Sequence, residues 1–118
     1  MRKVTQQTAS ALLALRPISV GNTTVTISED GATGYLSLHG HTIAVYDSVD
    51  DLLTLKDCGY QTNTTKERLN GVLDVFDTDH GIFQKDFTWY IDHPVWGVQE
   101  WADSIVINRG FRNSRHAA

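Results

Sequence analysis

The chain has 118 residues, 41% of them hydrophobic and 20% charged, with a net charge of −4. That length holds one core and no second domain, and that composition is globular rather than disordered. A lone cysteine excludes an internal disulfide, no window reaches the roughly 18 apolar residues of a membrane span, and the polar start Thr5-Gln6-Gln7-Thr8 is unlike a secretory signal, so a reducing cytoplasm is expected.

The first predicted element is a helix, with Val4, Thr8, Ala11, Leu12 and Leu15 on one face of a 3.6-residue period and Pro17 as its stop. The period then changes to two. Thr23, Val25 and Ile27 alternate with polar neighbours up to the turn at Asp30-Gly31. Tyr35 to His39, Thr42 to Tyr46 and Leu52 to Lys56 continue an antiparallel meander, with Gly40 and the polar run Asp47 to Asp51 as its connections.

Asp57-Cys58-Gly59 breaks the sheet. Thr64 and Glu67 stand in capping-box spacing, which predicts a second helix whose face Leu69, Val72, Leu73 and Phe76 lies across the sheet. Gly71 interrupts that helix, which suggests close packing on the sheet. Ile82 to Lys85 and Phe87 to Ile91 predict a hairpin about Asp86, with Phe87, Trp89 and Ile91 on its buried side. Pro94 ends that strand, and Val95 to Ile107 reads as an irregular or short β segment. The expected organisation is α+β, a single domain over residues 1–107 followed by a flexible basic tail over 108–118.

Several residue groups resemble a pattern found elsewhere. They are Leu38-His39-Gly40-His41-Thr42-Ile43-Ala44, the run from Cys58 through Thr62-Asn63-Thr64-Thr65-Lys66-Glu67-Arg68-Leu69-Asn70, and Gln84-Lys85 with Trp89-Tyr90-Ile91. In this order they are similar to a group of small proteins encoded by bacteriophages and other mobile elements, over most of residues 4 to 101. His41 and Ile91 are variants, since the pattern often has asparagine and leucine there. The resemblance implies a phage origin and the host cytoplasm, and it carries no catalytic residue with it.

Charge is unevenly distributed. All fourteen acidic residues lie between Glu29 and Asp103, where four basic residues oppose them, leaving ten net negative charges. Arg2, Lys3 and Arg16 at the front and Arg109, Arg112 and Arg115 at the back are basic. An acidic body repels phosphate backbones and favours basic partners.

Reaction chemistry finds little support. His39 and His41 would share one face of a strand, but no third ligand accompanies them at metal-site spacing. Asp77-Thr78-Asp79-His80-Gly81 opens like a calcium loop, yet its sixth position is Ile82 and its twelfth Thr88, which rules out an EF-hand. Asp57 beside Cys58 works against a reactive thiolate, and no nucleophile elbow, P-loop or dinucleotide fingerprint occurs. No cofactor and no catalytic residue is predicted.

Two binding modes follow. A host protein is the first expected partner, occluded through Trp96 and Trp101 as anchors and steered by Asp47, Asp50 and Asp51. The alternative is a nucleic-acid binder using Lys66, Arg68 and the basic tail with Arg109, Arg112 and Arg115. No membrane partner is expected.

Overall fold

Helix α1 (Lys3–Leu13) ends before proline is reached. Leu15 takes a left-handed φ of 54°, and the amides of Leu15 and Arg16 turn back to the carbonyls of Leu12 and Ala11. This is a Schellman closure with leucine where glycine is usual. The computed structural model describes residues 1–110. Its α+β class is the one read from the sequence.

The sheet that follows has six antiparallel strands in the order β1-β2-β3-β4-β5-β9. They are β1 (Ile18–Val20), β2 (Thr23–Ile27), β3 (Thr33–Leu38), β4 (His41–Asp47), β5 (Leu52–Lys56) and β9 (Ser104–Asn108). The first five form the expected meander, with β1 added at its edge. β9 arrives from the far end of the chain and pairs Ile107 with Leu53 and Ile105 with Leu55. The segment read as irregular or short β thus contains a strand, and it completes the main sheet.

Helix α2 (Asn63–Val75) starts two residues earlier than the capping box suggests. Thr62, not Thr64, is the cap, and its hydroxyl oxygen accepts the Thr65 amide at 3.1 Å. Glu67 is then used elsewhere, as the partner of Thr5, Arg68 and the Arg2 amide. Leu69, Val72, Leu73 and Phe76 are buried as predicted, and the Phe76 ring meets Tyr46 of β4 edge-on at 4.9 Å. Burial of such side chains contributes about 1.5–3 kcal/mol each. Gly71 faces α1 rather than the sheet: a Cβ there would overlap the Thr5 methyl. The glycine therefore sets the distance between the two helices.

A second sheet, in the order β6-β7-β8, comprises β6 (Gly81–Lys85), β7 (Thr88–His93) and β8 (Gly97–Glu100). The hairpin forms, but Phe87 belongs to its turn. Asp86 and Phe87 both have positive φ, 52° and 66°, the geometry of a two-residue type I′ loop. Phe87 is accordingly 93% exposed, whereas Trp89 and Ile91 enter the core with Ile82. The Asn70 side chain of α2 seals the outer edge of β6: its amide nitrogen donates to the Ile82 carbonyl at 2.8 Å, and its oxygen accepts the Ile82 amide at 2.7 Å. An exposed strand edge is thereby satisfied by a side chain.

Candidate protein-docking surface

Register decides what the second sheet shows to solvent. Ile82 pairs with Ile91 and faces inward. Phe83 pairs with Tyr90, and Tyr90 with Glu100, on the opposite face. On that outer face the Phe83 and Tyr90 rings stack, with centroids 5.5 Å apart and planes at 24°. Val98, 58% exposed, lies on the same face in the neighbouring row, opposite Asp92. Phe87 stands at one end of the hairpin, while Val95 and Trp96 occupy the β7–β8 turn at the other.

That second turn has a defined internal architecture. The ring nitrogen Nδ1 of His93 accepts the amides of Val95 and Trp96, each at 3.0 Å. Gly97, at φ 77°, returns the chain into β8. The Trp96 indole lies 5.7 Å from the His93 ring and remains 70% exposed. Burial pushes the His93 ring below its ordinary pKa of 6.5, which favours the neutral form that can accept these bonds. Asp86, Asp92 and Glu100 lie in and around this surface with Lys85, so its charge is net negative.

The residues singled out from sequence have different environments. Trp96 is exposed in the β7–β8 turn that borders this surface, with its indole beside His93. Trp101 is not: it is 6% exposed, packs edge-on to Trp89, and donates its indole N–H to Asp57 at 3.0 Å. It therefore closes the core between the sheets. Burial raises the pKa of Asp57, but hydrogen bonds from Gln61, the Gly59 amide and Trp101 outweigh it and hold the carboxyl below its ordinary value.

The acidic loop is largely engaged with its own fold. Asp47 accepts the amides of Val49 and Asp50. Asp51 pairs with Arg109 at 2.9 Å and accepts the Tyr46 hydroxyl at 3.1 Å. Asp50 is exposed. Arg109, expected in a flexible tail, is instead seated over the Phe76 ring at 5.2 Å, and its amide continues the β5–β9 ladder.

Arg68 differs most from its expected surface role. It is 3% exposed and donates to Thr23, Thr5 and Glu67, tying α2 to α1 and β2. A guanidinium so enclosed presents nothing to a phosphate. Lys66 is half-exposed beside Met1, Asn63 and Asn70 at a shallow depression of about 410 Å³. Arg112 and Arg115 lie outside the described residues.

His39 and His41 do not share a strand face. His39 occupies the turn with φ 52°, and His41 opens β4 with its ring 4.8 Å from Tyr60. Among the described residues, no three His, Cys, Asp or Glu side chains come together to hold a metal ion. Cys58 lies in the turn after β5, exposed, with its thiol donating to the Thr42 carbonyl.

The sequence signal for the surface was present but ambiguous. Alternation over 87–91 implied that Phe87 was inward, and only the two-residue loop ejects it. Val95, Trp96 and Val98 follow a proline, where no period distinguishes an exposed apolar residue from a buried one.

Two antiparallel sheets on a pair of helices define a small α+β protein, and the smaller sheet has a stacked aromatic pair on its outer face. The family model of the Kyanoviridae Gp96 protein matches residues 1–112, and the chain belongs to that family: it is a bacteriophage protein. No curated protein and no solved structure matches it. Among the described residues, no helix is long and apolar enough to cross a membrane.

Proposed function

We propose that this phage protein is a non-enzymatic binder that occludes a host protein in the host cytoplasm, using the outer face of β6-β7-β8 and its two turns. One observation carries the reading. Nine large apolar residues are exposed among those described, and five of them fall in this one small sheet (Phe83, Val98) and its two turns (Phe87, Val95, Trp96). Scattered apolar residues need no explanation, but a concentration that includes tryptophan and phenylalanine has the composition of an interface core. Asp86, Asp92 and Glu100 around it select a partner with an apolar patch and a basic rim.

This reading keeps Trp96 as an anchor and transfers the steering role from Asp47 and Asp51, which serve the loop, to the acids of the second sheet. Nucleic-acid binding retains one specific support, the stacked Phe83 and Tyr90 rings on the face that carries Lys85. The burial of Arg68 and the pairing of Arg109 with Asp51 weigh against it.

The test is capture from nuclease-treated host lysate by wild type, by Val98→Asp, and by the double variant Asp47→Asn/Asp50→Asn. Capture of a host protein that Val98→Asp loses and the loop variant keeps supports the reading. Equal capture by all three removes it, and partners that vanish with nuclease favour the nucleic-acid alternative.

A further inference from the structure

The β7–β8 turn holds an exposed tryptophan by means of a titratable acceptor. Nδ1 of His93 takes the amides of Val95 and Trp96 together, at 3.0 Å each. An imidazole nitrogen can do this only while it carries a lone pair, with the ring proton on Nε2. Once protonated, the ring has two N–H donors and no acceptor. Nδ1–H would then point at two further donors, so the ring must turn away and both amides lose their partner. Nothing else in the turn carries charge, since Pro94, Val95 and Trp96 lie between His93 and Gly97.

The surroundings of the ring place such a response on the acid side of 6.5. A titratable group set against His93 is His80, in the loop before β6, whose ring meets it edge-on at 4.7 Å. Nδ1 of His80 lies 2.9 Å from the Thr78 carbonyl, a contact that orients its ring. Burial of the ring disfavours positive charge on His93. Asp92, the neighbouring acid on the same strand, alternates to the other face of the sheet.

We infer that His93 is a proton-operated latch: neutral, it fixes the turn that presents Trp96; protonated, it releases that turn. Gating of partner capture by this latch rests on the docking role assigned to the surface above. The latch itself is a property of the free protein, so it can be tested without any partner.

The experiment is an amide and histidine-ring NMR titration of the full chain between pH 7.5 and 4.5, with acrylamide quenching of tryptophan fluorescence in parallel. Trp89 and Trp101 are buried, so quenching reports mainly on Trp96. The latch predicts that the Val95 and Trp96 amides move together with the His93 ring, at a midpoint below 6.5, and that quenching changes across the same interval. His93→Asn retains an acceptor oxygen for the amides two and three residues ahead, as in an Asx turn, but does not titrate. It should keep the neutral-pH quenching throughout, whereas His93→Ala should show the acid-form quenching at every pH. His80→Asn should leave the transition in place. Amides that ignore the His93 titration, or a His93 midpoint at or above 6.5, would overturn the inference. If the latch titrates as described while Val98→Asp leaves capture intact, the latch stands and the docking role fails.

Discussion

The two sheets use the same strand chemistry and face solvent in opposite ways. On the six-stranded sheet, one cross-strand row of the outer face reads Thr26, Tyr35, Val45, Thr54 and Val106, and the row beside it Thr24, Ser37 and Thr42. These are mainly hydroxyl and β-branched residues, the ordinary covering of a half-buried antiparallel sheet. The three-stranded sheet also gives one face to the core, yet its outer side carries a stacked aromatic pair with apolar residues at both turns. The larger sheet is covered mainly by threonine, serine and valine, the smaller by phenylalanine, tyrosine and valine with a tryptophan in its turn.

Substitutions should separate the two regions by what they damage. The largest loss is expected in the shared core. Phe76→Ala removes the ring that joins Tyr46 to α2 and should cost about 3–5 kcal/mol in urea unfolding. Arg68→Ala comes next, at about 3 kcal/mol, because Glu67, Thr5 and Thr23 lose the donor that satisfies them. Gly71→Val should cost about 2 kcal/mol by forcing α1 and α2 apart against Thr5. All three predict lost stability, and any loss of capture should follow only from unfolding.

The smallest stability effects, and the largest binding effects, belong to the outer face of the second sheet. Phe87→Gly should raise stability by roughly 1 kcal/mol, since glycine takes the positive φ of the type I′ turn without strain. The same change should weaken capture.

Acid sensitivity offers a finer contrast. Asp57 titrates below its ordinary value of 3.8 in the native state, so its contribution is fully present above 3.8 and is lost as pH falls through the native value. Asp57→Asn should remove that part of the acid limb of a stability profile. His93 acts in a different window. Its native pKa lies below 6.5, so stability declines as pH drops from 6.5 towards the native value, and His93→Asn should flatten that part of the curve.

Much of the fold was legible because its signals are local. The two-residue period marks β2 to β5, and the 3.6-residue period marks Leu69 to Phe76 as a buried face. The unread parts depend on distant partners. β9 is five residues of uncharged, β-branched sequence whose place beside β5 is set by pairing across some fifty positions. Gly71 announces a close approach but not that the approaching element is α1. Arg68 is an ordinary exposed helix residue by composition, and only the assembled Thr5, Thr23 and Glu67 reveal it as a buried tie. Of the two tryptophans expected as anchors, Trp96 is exposed and Trp101 belongs to the core, while the exposure of Phe87 emerged only with the turn.

The central claim is that the second sheet's outer face is a contact surface rather than part of what holds the fold together. The most direct measurement combines urea unfolding and nuclease-treated capture for the triple variant Phe87→Ser/Trp96→Ser/Val98→Ser. The account predicts an unfolding midpoint close to wild type and capture of the host protein lost. Intact capture, or a protein that fails to fold without these three side chains, would contradict it.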